Sequence, residues 1–439
     1  MRGQCLRDQV RSEGVEATYH RLAESLELGS MRDEQGRRLH PEELNYNDLT
    51  IRELAEGFMG DEWVRRLHPG NSRFASGVVP LREAGEAVDV TAFSNITGQI
   101  YFSVIKEAWD TAEALGDQLV ETRQTDLDGE KIPWITPPLV DQGKVTAGMN
   151  YPEAGMGEEF IQTPSLDTYG NILSIHKLTI FYDRTGQIVS SAKKLGVRMK
   201  KAKNRRILNA LLNAPTFNTP APQFIWKGVT YNPYQGITVG TGTGSGGNGF
   251  PVGSLNTTPG TYWTNYYFGV PMVDYTSIEQ IEIAATKILE PDLQGAGVNE
   301  PIEINLDTIV VMPFKKWTVQ KTLAAIQVRT VDLGVTPNII GISGNPIDKT
   351  YSVISDKQLY QQAIGPAGFT PQQANDFWFM IDSKNRPLLY MQAWPLTLVE
   401  APPQNPAEFE RDIVLRVKAS ERGVVAWQDP RMIFWVRNL

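Results

Sequence analysis

The chain has 439 residues, of which 41% are hydrophobic, and a formal net charge of −8. This length predicts about two to four domains with real cores, and the acidic balance argues against a sequence-reading nucleic-acid binder, which is usually basic. The single cysteine, Cys5, excludes an intrachain disulfide framework and a cysteine metal cluster. No apolar run approaches the ~18 residues of a membrane span or resembles a signal peptide, so we expect a soluble protein made in a reducing compartment.

The first 92 residues are polar and charged, and they predict an extended arm with short helices. One helix is expected over residues 11–28. A second is expected after the capping residues Asn47, Asp48 and Thr50, because the apolar residues that follow share one helical face. These are Ile51, Leu54, Ala55 and Phe58. The region has too few apolar residues for a core of its own, so we expect it to pack on a partner surface.

The next segment combines one helix with a long irregular region. Residues 100–115 have helical periodicity, and one side carries Tyr101, Ile105, Ala108 and Trp109. Residues 125–171 are rich in Gly and Pro, which do not suit helix interiors. Because a loop of this length is uncommon inside a compact domain, we expect it to project and to make its contacts elsewhere. A strand is expected over residues 171–182.

A long basic helix is the most distinctive predicted element. Residues 184–213 hold nine Lys or Arg residues and no acidic residue; Asp183 can cap the helix and Pro215 ends it. Apolar residues recur at alternating spacings of four and three, at Ile188, Ala192, Leu195, Met199 and Ala202. Because this stripe is too narrow for a core helix, we predict a strut about 45 Å long with one docked face and one charged face.

Residues 216–269 mix aromatic residues with a glycine tract at 240–249. Beyond them the patterns predict helices and strands that alternate, which indicates a separate α+β domain at about 270–400. The helices are expected over residues 275–289 and 314–325, and the strands over 304–312, 338–342, 377–381 and 387–395. The C-terminal residues 409–439 predict strands joined by turns at 420–423 and 429–430.

The order of these parts resembles the major capsid protein of tailed bacteriophages, whose fold is named after phage Hong Kong 97. Three stretches carry the resemblance: VDVTAFSNITGQIYFSVIKEAW before the long loop, TGQIVSSAKKLGVRMKKAKNRRILNALL as the basic helix, and RVKASERGVVAWQDPRMIF near the end. The resemblance covers residues 88–439. It implies an α+β, Hong Kong 97-like fold with an N-terminal arm, an extended loop, a long spine helix, a peripheral domain and an axial domain.

The resemblance also implies where these parts begin and end. The order would be the arm at 1–92, the first part of the peripheral domain at 93–123, the extended loop at 124–178, the spine helix and peripheral residues with the glycine-rich insertion at 179–269, the axial domain at 270–395, and the closing peripheral strands at 396–439.

The function that the resemblance implies is structural. Copies of the chain would self-assemble into hexamers and pentamers of an icosahedral shell around phage double-stranded DNA, in a virion assembled in the host cytoplasm. The implied partners are other copies, packaged DNA in non-specific contact, a decoration or cement protein, a portal and a scaffold; no membrane, cofactor or enzymatic activity is implied. Some relatives link a loop lysine to a distant asparagine, but no motif assigns such a pair to Lys131 or Lys144.

Charged residues of the loop and the helix are the candidate contacts between subunits. Acidic loop residues would pair with the basic helix of a neighbouring copy, and the alternative is that both sets are merely solvated. The candidates are Lys144, Glu153, Glu158, Glu159, Lys193, Lys194, Arg198, Lys201 and Arg205.

Motifs for catalysis or metal binding are incomplete. The glycine tract matches G-x-G-x-x-G at Gly242, Gly244 and Gly247, but no Lys-Ser/Thr follows and Pro251 blocks a helix. TDLDGEK at 125–131 lacks the spacing of a calcium loop, GISGN at 341–345 is not a nucleophile elbow, and the four histidines are far apart in sequence. We therefore predict no catalytic, cofactor-binding or metal-binding residue.

Two other functions stay open. An encapsulin-like compartment shell would share the fold and enclose enzymes, although the long arm favours a viral shell by analogy. A secreted carbohydrate-binding β-protein would use aromatic residues as stacking platforms, but the missing signal sequence and the basic helix argue against it. Its candidates are Trp226, Tyr231, Tyr234, Tyr262, Trp263, Tyr266 and Tyr267.

Overall fold

A computed structural model describes residues 2–30, 50–59, 83–136, 157–182, 187–215, 220–226, 228–234, 236–238, 264–288, 302–325, 327–332, 339–344, 347, 349–400 and 413–437. The chain forms two compact units. The first is drawn from Met1–Glu113, Thr168–Ala202 and Trp394–Arg422, and the second from Ala114–Asp167, Lys203–Ala393 and Gly423–Leu439.

The helices in chain order are α1 (Arg2–Glu13), α2 (Val15–Ser30), α3 (Ile51–Met59), α4 (Glu83–Thr111), α5 (Leu115–Leu119), α6 (Lys177–Tyr182), α7 (Gln187–Leu211), α8 (Tyr275–Ala285), α9 (Lys316–Ala324), α10 (Lys357–Ile364) and α11 (Pro371–Asn375). The strands are β1 (Val120–Gln124), β2 (Lys131–Thr136), β3 (Gly157–Gln162), β4 (Asp167–His176), β5 (Phe224–Trp226), β6 (Val229–Tyr231), β7 (Gly236–Thr238), β8 (Tyr266–Phe268), β9 (Thr308–Val311), β10 (Gln327–Asp332), β11 (Ile339–Gly344), β12 (Ser352–Ile354), β13 (Trp378–Ile381), β14 (Leu388–Glu400), β15 (Ile413–Trp427) and β16 (Ile433–Arg437).

The core of the first unit is helical. Helix α1 packs on α2 and α3, α2 and α3 pack on α4, and their apolar residues join those of α4 and α7 in one buried cluster. Phe58 and Ile105 are members of this cluster. Strand β4 adds Ile175 to it, and strand β15 adds Leu415 and Val417.

The N-terminal region differs from its prediction in two ways. The helix expected over residues 11–28 is divided into α1 and α2 at Gly14, whose φ of 88° lies in the left-handed region that favours glycine. For the described helix α3 the expected partner surface comes from the same chain, because its apolar face is buried in the cluster that includes α4. Thr50 does cap α3, since its hydroxyl accepts from the Glu53 amide at 3.1 Å.

Two neighbouring elements also differ from the sequence-based prediction. Helix α4 begins at Glu83, well before the expected residue 100, although Tyr101, Ile105 and Ala108 are buried as predicted. The strand expected to run to residue 182 ends at His176, where helix α6 begins. The predicted cap Asp183 lies outside the described residues.

The second unit is built on a six-stranded sheet in the order β12-β9-β13-β16-β8-β7. Strands β9 and β13 are antiparallel and buried along their whole length, which explains why all of their residues except Thr308 are apolar. Strand β16 pairs antiparallel with β13, in the register that sets Phe379 opposite Trp435. Strands β9 and β13 and helices α8 and α9 match their predicted positions closely; the predicted domain boundaries stay a prediction.

Smaller sheets complete the second unit. Strands β2, β3, β5 and β6 form an antiparallel sheet, β10 pairs with β11, and β1 runs parallel to the first part of β14. The turn predicted at residues 420–423 is wrong, because β15 continues through it as one strand. Gly423 serves a close approach there: a Cβ at this position would lie 2.7 Å from the Met391 carbonyl oxygen. The predicted turn at 429–430 is confirmed as a short 3-10 helix, Pro430–Met432.

None of the helices in the described residues has both the length and the apolar character needed to cross a bilayer.

Candidate functional site: the basic helix α7

Helix α7 lies close to the backbone of helix α4 at Gly196. A Cβ at this position would lie 2.4 Å from the Ile105 carbonyl oxygen and 3.0 Å from the Ala108 Cβ. Only glycine permits such an approach, because any other residue would bring its side chain into the backbone of α4. The sequence pattern gave no weight to Gly196, although a glycine inside a helical run is a signal for close packing.

This contact fixes which side of α7 faces inward. Ile188, Ala192 and Met199 of the predicted stripe are buried, and Leu195 and Ala202 are half-buried. The predicted docked face is therefore confirmed for the part of α7 that belongs to the first unit.

The opposite side of the same part of α7 carries the predicted cations. Lys193, Lys194, Arg198 and Lys201 are exposed, and none of them forms an ion pair with another described residue. Lys194, Arg198 and Lys201 recur at spacings of four and three, so like charges are neighbours on one face. Each such pair costs the helix a few tenths of a kcal/mol, on the order of 0.2–0.5. An opposite charge from outside the chain would remove this cost.

Lys200 lies beside this face in a different environment. It is half-buried, and its Nζ lies 5.4 Å from the centroid of the Trp109 ring of helix α4. A cation at this distance over an indole ring is attracted by the ring quadrupole, so Lys200 contributes to packing between the two helices.

The last two turns of α7 belong to the second unit, and there the prediction of a charged face is wrong at two positions. Lys203 and Arg206 are buried there, while Arg205 is exposed. The Lys203 ammonium lies 4.0 Å from the Tyr390 ring centroid, and Arg206 donates to the Tyr390 hydroxyl at 3.3 Å. Buried cations need such partners, because an unpaired buried charge is costly.

Asn204 ties the same turns to two other parts of the second unit. Its side-chain oxygen accepts from the Gly116 amide at 2.7 Å, and its amide donates to Asp356 at 3.0 Å and to Gln358 at 2.6 Å. A buried amide that satisfies three bonds specifies one arrangement of α5, α7 and α10. These long-range contacts leave no trace in the spacing of the sequence.

The family of the chain follows from comparison with known proteins. A family model described as phage capsid protein matches residues 159–436, which include α7 and most of the strands. The chain belongs to the phage capsid protein family. The predicted resemblance to a phage capsid protein is thereby confirmed, together with a mixed helix-and-sheet structure. As a family member, this capsid protein is a component of the virion.

Comparison with curated proteins gives no match. Solved structures similar to this capsid protein include the Cyanophage Pam1 capsid, with 12% identity, a TM-score of 0.42, and coverage of 73% of this chain and 88% of that one. The capsid of the native GTA particle has 10% identity, a TM-score of 0.41, and coverage of 73% and 89%. Gordonia phage Cozz has 13% identity, a TM-score of 0.39, and coverage of 74% and 87%.

The acidic candidates of this capsid protein are placed only in part. Glu158 and Glu159 lie on β3, where their backbones pair with Ile135 and Trp134 of β2. Lys144 and Glu153 lie outside the described residues. The pairing of these residues with the basic helix of another copy stays a prediction.

Two of the aromatic residues considered as sugar-stacking platforms are core residues. Tyr234 and Tyr266 are fully buried, and both pack against Trp435 at ring separations of 5.0 and 4.7 Å. Burial raises the pKa of Tyr234 well above its ordinary value, and the Tyr234 hydroxyl donates to the Leu211 carbonyl at 2.6 Å. Trp226, Tyr231 and Tyr267 are half-buried, and Tyr262 and Trp263 lie outside the described residues. Packing inside the protein therefore explains these aromatic residues better than sugar binding does.

The acidic residues at 125–131 form a local turn. Gly129 has a φ of 68°, and Asp128 accepts from the Leu166 amide at 2.5 Å. No group of three or more His, Cys, Asp or Glu side chains in the described residues is arranged to hold a metal ion. The glycine tract lies outside those residues.

A cleft in the second unit is lined by Asp117, Asp307, Asp382 and Arg386. Its carboxylates already have partners. Asp382 accepts from the backbone amides of Asn305, Lys384 and Asn385 at 3.0 to 3.2 Å. Arg386 donates to the Val120 carbonyl at 2.5 Å. The cleft is a hydrogen-bonded junction of loops rather than an open acid–base site.

Ionisation of Asp307 in this junction makes a pH-dependent contribution to the stability of the fold. Burial alone would raise its pKa, but hydrogen bonds from the Ser383 hydroxyl and amide and from Thr308 outweigh it, so the pKa lies below the ordinary value of 3.8. The folded state therefore favours the carboxylate, and its contribution is full above about pH 4 and is lost as the pH falls through the lower folded pKa.

We expect the free energy of unfolding of the wild-type protein to fall more steeply with decreasing pH than that of an Asp307→Asn variant. The reason is that the amide of asparagine is not protonated in this pH range. Urea unfolding midpoints measured from pH 7 down to about pH 2 would show the difference below about pH 4. Asp126→Asn, at an exposed position, is the control and should follow the wild type. Parallel curves for wild type and Asp307→Asn would contradict the prediction.

Proposed function

We propose that this capsid protein is the major capsid subunit, which self-assembles into hexamers and pentamers of an icosahedral shell enclosing phage double-stranded DNA. The match of the phage capsid family model to residues 159–436 carries this proposal. The exposed cations of α7 support it, because they form no ion pair with a described residue and therefore have charge to offer another molecule. In this proposal α7 is the spine helix of a Hong Kong 97-like fold.

The strands β2 and β3 would form the base of the extended loop. They pair antiparallel from Lys131 opposite Gln162 to Thr136 opposite Gly157, and β3 is held on its other edge by β5. Residues 137–156 connect the two strands. An antiparallel pair of strands suits the base of a loop that would reach a neighbouring copy.

We further propose that the acidic residues of this loop contact the basic face of α7 in a neighbouring copy. Glu153, Glu158 and Glu159 would face Lys193, Lys194, Arg198, Lys201 and Arg205, and Lys144 would lie in the same interface. If the two sets of charges meet between different copies, the acidic loop of one copy neutralises the basic helix of the next. Charge complementarity of this kind also favours correct partners over incorrect ones.

Reversal of the loop charges tests this contact. Glu158→Lys together with Glu159→Lys should raise the protein concentration needed for assembly about tenfold, because two opposite-charge contacts per subunit become repulsive. Adding Lys194→Glu and Arg198→Glu should restore assembly. Glu113→Lys, at an exposed position on the first unit, is the control. Normal assembly of the loop variant would contradict the contact.

The partners proposed for the shell follow from the proposal that the chain is the major capsid subunit. The chain would contact packaged DNA without reading its sequence, since its net charge of −8 does not suit a sequence-specific binder. Assembly in the host cytoplasm, with a scaffold, a portal and a decoration protein, belongs to this proposal. The subunit would act as a structural protein, with no enzymatic step assigned to it.

Electron microscopy of the purified chain expressed alone, with sedimentation of the same sample, tests the proposed function. We expect closed shells, or rings of five and six copies, at protein concentrations where permanent interfaces form. Nucleic acid inside particles from infected cells would support the viral shell. Enclosed enzymes would favour the encapsulin-like compartment shell instead. A monomer at every concentration would contradict both.

A further inference from the structure

Two large aromatic side chains are exposed on the second unit, one just before helix α9 and one in its first turn. Phe314 is 62% exposed and Trp317 is 78% exposed. The Phe314 ring packs edge-on against Tyr360, with centroids 5.2 Å apart and planes at 67°, so its position is supported from within the chain. Aromatic residues held in this way are enriched at the centres of protein interfaces.

The charges around these aromatics are basic. Lys316 and Lys321 lie on α9, and neither forms an ion pair with another described residue. The neighbouring Lys315 is already paired with Asp376 at 3.4 Å. We call Phe314, Lys316, Trp317 and Lys321 the aromatic–basic face.

Exposed residues of the opposite kind lie on helix α8 of the same unit and just before it. Val273, just before the helix, is 60% exposed and Ile283 is 48% exposed. Asp274 and Glu279 are exposed with them. Asp274 caps α8 by accepting from the Thr276 amide at 3.0 Å, whereas Glu279 forms no ion pair with a described residue. We call Val273, Asp274, Glu279 and Ile283 the apolar–acidic face.

Two other charged residues belong to α8 or follow it directly. Glu282 is paired with Lys349 at 2.9 Å and accepts from the Tyr351 hydroxyl, so it is turned to its own chain. Lys287 is exposed beyond the last turn of α8. With Lys287 counted, the two acidic residues of the face leave a net charge of −1.

We propose that the aromatic–basic face of one copy docks on the apolar–acidic face of the next copy around each ring of the shell. This inference rests on the proposed function, and it names the contact that would close the rings. Two different faces of one chain that complement each other make a heterologous, head-to-tail contact, which produces a closed ring when the rotation closes. Apolar residues at the centre and opposite charges at the edge match the usual composition of interfaces.

Nucleic acid is the other candidate for the aromatic–basic face, because bases stack on aromatic rings and phosphates attract lysines. Such a ligand would leave the apolar–acidic face of α8 without a role. A second copy of the chain uses both faces at once, so the observations favour it.

The test measures assembly of the full-length chain by sedimentation over a concentration series. Trp317→Ala should raise the concentration needed for rings or shells at least about tenfold, as loss of a central aromatic contact does in other interfaces. Lys321→Glu alone and Glu279→Lys alone should each weaken assembly, and the double variant should restore it because the charges are exchanged. Lys357→Glu, which changes an exposed lysine of α10, should have no effect.

The outcomes separate this inference from the proposed function. Wild-type chain that never assembles would contradict the shell itself. Wild-type chain that assembles, with Trp317→Ala and both charge reversals assembling equally well, would overturn only the docking contact. Failure of the double variant to recover, while each single variant keeps the wild-type unfolding midpoint, would overturn the pairing of Lys321 with Glu279. Loss of binding to a single-stranded DNA probe by Lys321→Glu, with assembly unchanged, would assign the face to nucleic acid instead.

Discussion

Replacement of Gly196 by leucine should force helices α4 and α7 apart and lower the free energy of unfolding by about 3 kcal/mol, at the upper end of the cost of overpacking a core. The Cβ alone would lie 2.4 Å from the Ile105 carbonyl oxygen. That oxygen belongs to the backbone of a helix, so it cannot rotate away as a flexible side chain would. Leucine is a better helix former than glycine by up to about 1 kcal/mol, which only partly offsets the clash.

Urea unfolding of the full chain, followed by tryptophan fluorescence, measures this effect. Gly196→Ala should fall between wild type and Gly196→Leu, because it adds only the Cβ. Ser190→Leu is the matched control, since it places the same side chain on the same helix at an exposed position. An unfolding midpoint for Gly196→Leu equal to that of Ser190→Leu would show that the two helices do not approach closely at this point.

The same substitution has a consequence for assembly. The contact at Gly196 sets the rotation of α7 in the first unit, and therefore the direction in which Lys194, Arg198 and Lys201 point. If these cations bind a neighbouring copy as proposed, Gly196→Leu should impair assembly even at temperatures where the chain remains folded. Ser190→Leu should assemble normally, and defective assembly of both variants would assign the effect to the added leucine rather than to the helix rotation.

The sequence was most informative where one helix face decides burial. The stripe from Ile188 to Met199 predicted the inward side of α7, and the helix itself was expected over residues 184–213 and is described over Gln187–Leu211. Strands β9 and β13 were recognisable for a related reason, since a short run of apolar residues between turn signals suits a strand buried on both faces. Both are properties of contiguous sequence, which periodicity can detect.

Long-range contacts explain what the sequence could not show. Lys203 and Arg206 carry charge and therefore seemed exposed, but Tyr390, far away in sequence, supplies a ring and a hydroxyl that make their burial acceptable. Gly423 looked like a turn residue because glycine is common in turns, whereas it is needed for close contact with Met391. The exposed Phe314 and Trp317 were also missed, since the sequence pattern of α9 alone does not show that they face outward.

Replacement of Trp435 by alanine should destabilise the second unit by about 4 kcal/mol, the usual cost of removing a large buried aromatic side chain. Trp435 is 1% exposed. Its ring lies 4.7 Å from that of Tyr266, 5.4 Å from that of Phe377 and 5.6 Å from that of Phe379. These neighbours come from β8, β13 and the segment before β13, so the cavity would lie where three parts of the central sheet meet. A loss of this size is a large fraction of the ~5–15 kcal/mol that stabilises most proteins.

The exposed Trp317 gives a matched control for this prediction. Trp317→Ala makes the same chemical change at a residue that is 78% exposed, so it should change the free energy of unfolding by less than about 0.5 kcal/mol.

Trp435→Phe should cost less than Trp435→Ala, because the indole N–H has no hydrogen-bond partner among the described residues and phenylalanine keeps part of the ring contacts. Urea unfolding followed by far-ultraviolet circular dichroism compares all three without depending on tryptophan emission. Equal unfolding midpoints for Trp435→Ala and Trp317→Ala would mean that the aromatic cluster does not hold the central sheet together. The expected order, with Trp317→Ala stable but impaired in assembly, would instead separate the tryptophan that folds the subunit from the one that joins it to its neighbour.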